Sequence, residues 1–246
     1  MPRQARFLSS ARLQEWRFLQ LSVVMGLWML LSPRFGDRWV VQAFTQALLL
    51  NCMLVTLWAG SHERLGRRLL LLLWGLSFIA SVIVLLPLAP DYRELVLKVE
   101  IGARVPIVTA CAVGILLFVF RRGNVTLDGI FAAIAAYLLI GFAFAQIYML
   151  LLMWAPESFR FPTPIEVSTY PALASSLLYF SFVTLATLGY GDILPQTETA
   201  RMLAVIEAVV GQFFVAVIVA LLVSKFIEHG AAPQGALRRD SEPGKR

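Results

Sequence analysis

Long apolar runs separated by short polar connections make up most of the chain. A helix needs about 20 predominantly apolar residues to cross the hydrocarbon core of a bilayer, which is about 30 Å thick. Six runs approach or exceed this length, at residues 16–31, 39–58, 69–88, 95–120, 129–154 and 202–227. The pattern therefore predicts an all-α membrane protein with six transmembrane helices.

A seventh apolar stretch, at residues 172–185, is too short to cross a bilayer. Stretches of this length are typical of re-entrant or buried segments. The preceding sequence, APESFRFPTPIEVSTYP, contains four prolines, which oppose helix formation and indicate an exposed loop. Pro171 is compatible with the first turn of the short helix that follows. We therefore expect an exposed loop and a re-entrant helix between the last two spans.

Composition and charge support a membrane environment. Of the 246 residues, 59% are hydrophobic and only 15% are charged, whereas soluble domains contain about 25% charged residues. Lys and Arg are concentrated in every second connection between the apolar runs, and this bias predicts that both termini are cytoplasmic. The net charge of +6 then reflects membrane topology, so nucleic acid is not an expected partner. The predicted location is the cell (inner) membrane, crossed several times.

The segment TLATLGYGD follows the short apolar helix. Irregular backbone at membrane depth is tolerated only where it is buried in protein or lines water. Gly189 and Gly191 can adopt positive φ values at little steric cost, so the chain can alternate in handedness and turn successive carbonyls towards one axis. Several such segments around an axis would form rings of oxygen atoms that replace the hydration shell of a cation.

The sequence TLGYGD resembles the selectivity-filter signature of tetrameric potassium channels, and LLYFSFVTLATLGYGDILP is similar to their pore helix and filter. The resemblance implies a homotetramer with one pore loop per chain and a voltage-gated-channel-like architecture. It also implies a potassium-selective, non-enzymatic channel without a cofactor, whose partners are its own copies, membrane lipid and permeant K⁺. The ion would bind only at the filter residues, Thr187, Leu188, Gly189, Tyr190 and Gly191.

Four further residues take expected roles from the same resemblance. Tyr179 would pack behind the filter, either by packing alone or with a hydrogen bond donated to Asp192, which would stand at the outer mouth. Gly211 occupies the place of a flexible gating glycine, although a small residue there is equally compatible with close helix packing. Gln212 is polar at membrane depth and is expected to face a water-filled cavity.

The fourth span lacks the charges of a voltage sensor. A sensor needs several arginines, because each elementary charge moved through the membrane contributes about 2.3 kcal/mol per 100 mV. This span has Lys98 at its edge and only Arg104 inside, and Glu100 is expected to pair with Arg104 because it lies four residues earlier on the same helix. The chain therefore resembles a bacterial-type channel without an Arg-rich sensor.

The expected organisation has four parts: a cytoplasmic N-terminal segment (1–15), a four-helix transmembrane domain (16–124), a pore domain (125–229) and a disordered cytoplasmic tail (230–246). The alternative is a non-conducting or weakly selective cation-channel-like membrane subunit. The intact filter sequence argues against a subunit that has lost conduction. A cation transporter with filter-like loops would carry several such loops, and this chain has one.

Overall fold

The computed structural model describes residues 17–31, 38–58, 64–87, 89–121, 127–162 and 170–231. Within these ranges the backbone is almost entirely helical. The helices are α1 (Arg17–Leu31), α2 (Arg38–Trp58), α3 (Arg64–Val84), α4 (Pro90–Arg121), α5 (Leu127–Trp154), α6 (Tyr170–Leu185) and α7 (Glu198–Ala231). A 3-10 turn (Pro156–Ser158) leads into β1 (Phe159–Arg160), which pairs antiparallel with β2 (Leu194–Pro195).

Five of the described helices, α2 to α5 and α7, are long and apolar enough to cross a membrane. The chain is therefore a multi-pass, all-helical membrane protein, as the pattern predicts. The first predicted span corresponds to α1, which has 15 residues as described. At 1.5 Å per residue α1 is about 22 Å long, which is shorter than the hydrocarbon core. The sixth span therefore stays a prediction.

Helix α5 occupies the centre of the fold. It packs against α4, α1 and the short helix α6. One hydrophobic core joins buried residues of α1, α2, α4 and α5 and reaches Leu178 of α6. The predicted division near residue 124 therefore lies between two helices, α4 and α5, that share a core.

The connection after α5 differs from its prediction as an exposed loop. The backbone N–H of Gln196 donates to the Ser158 carbonyl at 2.8 Å, next to the pairing of β1 and β2. Ser158 and Phe159 are buried, and the Phe159 ring lies 5.4 Å from the rings of both Tyr148 and Phe180. The expectation of an exposed loop is therefore wrong at Ser158 and Phe159, although the prolines at 156 and 162 and the charged residues at 157 and 160 are exposed. Residues 163–169 lie outside the described residues.

Helix α7 makes few contacts within one protomer. Only 11% of its apolar window is buried, against 50% for the window of α5. Large apolar side chains such as Phe213 and Met202 are more than half exposed. The helix ends at Ala231 and so includes the first two residues of the predicted tail, 230–246. The expected N-terminal segment, 1–15, and residues 232–246 lie outside the described residues.

Candidate functional site

The short helix α6 ends in a Schellman motif. The N–H of Leu188 donates to the Val183 carbonyl and the N–H of Thr187 donates to the Thr184 carbonyl, both at 2.9 Å. This bond pattern satisfies the last carbonyls of a helix and requires a residue with positive φ just past its end. Thr187 takes that position, with φ of 57°. The first residue of the filter segment is therefore also the cap of the preceding helix.

The backbone continues with alternating handedness. Gly189 and Gly191 have φ values of 59° and 78°, while the intervening Leu188 and Tyr190 do not have positive φ. The positive φ values expected at the two glycines are thus present. The positive φ at Thr187 was not expected, because a β-branched residue is disfavoured in this conformation. Residues 186–192 are exposed in the protomer.

Two residues of α7 contact the junction between α6 and this segment. The Gln212 side-chain amide donates to the Thr187 hydroxyl oxygen, Nε2 to Oγ1, at 3.1 Å. Gly211 approaches the end of α6 so closely that an added Cβ would overlap the Leu185 carbonyl oxygen. Of the two interpretations of Gly211, close packing is the one that this contact supports. Gln212 is exposed, as a residue at the edge of a cavity would be.

Tyr179 and Asp192 form a pair at the opposite end. The Tyr179 hydroxyl is the hydrogen-bond partner that lowers the pKa of Asp192 below its ordinary value. The ring of Tyr179 also stacks on that of Tyr190, with centroids 6.4 Å apart and an interplanar angle of 8°. The lowered pKa is in line with the hydrogen bond expected from the sequence, which stays a prediction, and Asp192 keeps its negative charge to a lower pH than an isolated aspartate does.

A buried acidic residue, Glu207, links three helices behind the filter segment. The Tyr148 hydroxyl of α5 donates to its Oε2 at 2.6 Å. The Ser181 hydroxyl of α6 lies at hydrogen-bonding distance from its Oε1 and, at 2.7 Å, from the Gly141 carbonyl. This cluster was not predicted from the sequence, although an acidic residue inside an apolar helix is a usable signal.

Comparison with known proteins identifies the family. Residues 136–228, from α5 to α7, match a family model described as "Ion channel". Over 97 residues the chain is 36% identical to Protein LctB of Bacillus caldotenax, and the aligned part covers 39% of this chain and 71% of that protein. The chain belongs to this ion-channel family. The resemblance to potassium channels is confirmed at the level of the family, and no solved structure matches significantly.

The matched part of the channel contains every residue singled out for the filter and its support. The first four helices lie outside it, and two charged residues in the middle of α4 pair with each other. Arg104 and Glu100 form a buried ion pair one turn apart on α4, and the Gln42 amide of α2 donates to Glu100 at 3.4 Å. The pairing predicted for Arg104 and Glu100 is confirmed.

Proposed function

We propose that this channel is potassium-selective and that K⁺ passes along the axis of a homotetramer, bound by carbonyl oxygens of residues 187–191. The observation that carries the proposal is the alternation of φ at Thr187, Gly189 and Gly191 directly after a short apolar helix. Alternating handedness turns successive carbonyls in the same direction, which a ring of oxygen ligands requires. The Thr187 hydroxyl would add one further oxygen at the inner end.

The exposure of the filter segment supports assembly with other copies. Leu188 and Tyr190 are 58% and 66% exposed in one protomer. Irregular backbone cannot face lipid, because its unpaired N–H and C=O groups would remain without hydrogen bonds. Other copies of the chain would therefore have to cover it, and a closed ring of filter carbonyls takes four copies about one axis.

The position of α6 supports a cation below the filter. Its C-terminal end, where the macrodipole places partial negative charge, leads directly into Thr187. Among the described residues no group of three His, Cys, Asp or Glu side chains could hold a metal ion. Backbone and hydroxyl oxygens are then the ligands available to a permeant ion, and no resident cofactor is proposed.

The proposed topology has six spans and cytoplasmic termini in the cell (inner) membrane. Residues 125–229 would form the pore and residues 16–124 the surrounding helices. The support is the concentration of Lys and Arg in alternate connections. Reporter fusions at the two termini would test the orientation.

The deciding experiment is ion flux into liposomes that contain the purified protein. We expect uptake of K⁺ and Rb⁺ with strong exclusion of Na⁺, and a particle of four chains of 27.4 kDa by native mass spectrometry. Equal K⁺ and Na⁺ uptake would mean a weakly selective cation channel. A folded tetramer without flux would favour the alternative of a non-conducting subunit.

A further inference from the structure

Glu207 is a carboxyl group in a setting that disfavours negative charge. It is fully buried and lies within the membrane-spanning part of α7. A charge at such depth is costly unless an opposite charge or a proton compensates it. Among the described residues the salt bridges are those of Glu94 and Glu100, so no Lys or Arg pairs with Glu207.

The groups around Glu207 are hydroxyls. Tyr148 and Tyr137 are the titratable groups that face it from α5, and α6 contributes Ser181. None of the three carries a positive charge. The compensation must therefore come from hydrogen bonds or from a proton on the carboxyl group itself.

A count of protons decides between these two. The Ser181 hydroxyl has one proton, yet its oxygen lies within hydrogen-bonding distance of two other oxygens, Glu207 Oε1 and the Gly141 carbonyl. If Glu207 were ionised, Ser181 could direct its proton at only one of them or share it between both in two weaker, bent bonds. An ionised carboxylate is an acceptor only and cannot supply the missing proton.

A protonated Glu207 satisfies every contact. Its Oε1–H donates to the Ser181 hydroxyl oxygen, and the Ser181 hydroxyl donates to the Gly141 carbonyl. The Tyr148 hydroxyl donates to Oε2, which stays an acceptor. Each short oxygen–oxygen contact then contains one proton, and α5, α6 and α7 are joined through the carboxyl group.

The cluster belongs to a longer row of contacts. On α7, Glu207 contacts Ser181, one turn before the end of α6. Gly211 contacts Leu185 at that end, and Gln212 contacts Thr187 beyond it. A shift of α6 against α7 would therefore move the first residue of the filter segment. We propose that Glu207 is a positioning residue for conduction that works in its protonated form, and that loss of this proton releases α6 and lowers flux.

This inference rests on the proposed function, and glutamine tests it because it imitates a protonated glutamate. In Glu207→Gln the amide nitrogen can donate to Ser181 and the carbonyl can accept from Tyr148. We expect Rb⁺ uptake within about twofold of the parent at neutral pH, whereas Glu207→Ala should lose about tenfold or more because buried partners are left unsatisfied. The control Glu198→Gln alters an exposed residue in the first turn of the same helix and should change nothing.

The dependence of flux on pH shows whether Glu207 positions α6 through its proton or only supports the fold. Parent flux should fall as the pH is raised, because Glu207 loses its proton, and Glu207→Gln should remain flat. A Glu207→Gln channel as impaired as Glu207→Ala, or as sensitive to alkali as the parent, would overturn the proposal.

Infrared spectroscopy gives a reading that does not depend on conduction. The difference spectrum of the parent minus Glu207→Gln at neutral pH should contain the C=O stretch of a protonated carboxylic acid. Carboxylate bands in its place would overturn the proposal even in a conducting protein. A parent without flux that still shows the acid band would refute potassium conduction and leave the protonated cluster established.

Discussion

Thr187 has a strained backbone and serves in two ways. Its main chain caps α6, and its side-chain hydroxyl accepts a hydrogen bond from Gln212. A non-glycine residue in the left-handed region costs about 1–2 kcal/mol, and a β-branched one is especially unfavourable there. Glycine would cap α6 without this cost, but it would remove the oxygen that accepts from Gln212. Threonine, unlike glycine, supplies a side-chain oxygen at this position, and the proposed ion site requires that oxygen.

Gly191→Ala tests the filter backbone. Gly191 has φ of 78°, and no atom of the protomer lies within 4 Å of an added Cβ, so strain and not collision is the expected effect. The cost is about 1–2 kcal/mol per chain, repeated in each copy. We expect loss of K⁺ flux in liposomes with unchanged membrane insertion.

The matched control is Gly102→Ala, which also has open space around the new methyl group but lies inside α4. That substitution should leave flux intact and favour the helix. Unchanged conduction and selectivity in Gly191→Ala would refute a carbonyl filter in this segment.

Tyr179→Phe tests the pair at the outer mouth through pH. The Tyr179 hydroxyl lowers the pKa of Asp192. In the parent, Asp192 is therefore protonated only at a pH below the ordinary pKa of an aspartate. Without the hydroxyl this pKa should rise towards the ordinary value. Acid inhibition of Rb⁺ uptake should therefore begin at a higher pH in Tyr179→Phe than in the parent.

The control for this titration is Tyr92→Phe, which removes an exposed hydroxyl from α4. Its acid inhibition should coincide with that of the parent. A curve for Tyr179→Phe that does not move, or moves to lower pH, would show that the hydroxyl does not hold the charge of Asp192 in the working channel.

The residues of the site were predictable to different degrees. The positive φ values of Gly189 and Gly191 follow from the freedom of glycine, and the pairing of Tyr179 with Asp192 follows from the family resemblance. The positive φ of Thr187 was not predictable from its residue type, because a β-branched side chain disfavours positive φ. It depends on the capping bonds of α6, and the contact with Gln212 depends on how α7 packs.

At the scale of elements, the contact between α6 and α7 is the part of the fold that would position the proposed filter, residues 187–191. Gly211→Ala should disturb it, because the new Cβ would overlap the Leu185 carbonyl, a backbone atom that cannot move alone. Overpacking of this kind costs about 1–3 kcal/mol, or a Tm lower by about 5 °C for a chain of this size. We expect that drop in detergent, together with reduced K⁺ flux.

Gly75→Ala in α3 is the control for this substitution, since its Cβ would meet no atom within 4 Å. It should keep the Tm and the flux of the parent. If Gly211→Ala were as stable as Gly75→Ala and lost only its gating, the interpretation of Gly211 as a flexible hinge would be correct.

The helices themselves were largely predictable, because long apolar runs leave few alternatives in a membrane. The connection after α5 was not. Its prolines correctly indicated that no long helix forms there, since Pro156 begins only a single 3-10 turn. They say nothing about burial, which comes from the packing of Phe159 between Tyr148 and Phe180.

At the scale of the whole molecule, α7 is the least enclosed of the candidate spans. A helix surface that faces lipid and one that faces another chain are both apolar in sequence. The sequence pattern of α7 therefore could not predict assembly. What distinguishes the two is the neighbouring filter segment, which is irregular and exposed in the protomer. Lipid cannot form hydrogen bonds with the backbone groups of this segment. Assembly of several copies would cover both the segment and the exposed apolar surface of α7.

The last prediction concerns voltage. A sensor moves three to four charges per subunit, each worth about 2.3 kcal/mol per 100 mV. Within α4 the buried Arg104 is paired with Glu100 of the same helix, so a movement of α4 carries both charges together and transfers almost no net charge. Macroscopic currents in planar bilayers should therefore depend only weakly on potential over a wide range.

Arg104→Gln should leave this shallow conductance–voltage curve unchanged, but it should lower the yield of folded protein. It strands Glu100 in the core, and breaking a buried ion pair costs about 3–5 kcal/mol. Lys98→Gln is the matched control, because Lys98 pairs at 2.7 Å with the exposed Glu94 and should affect neither yield nor slope. A steep, saturating activation curve in the parent that flattens in Arg104→Gln would mean that α1 to α4 sense voltage, with Arg104 moving independently of Glu100.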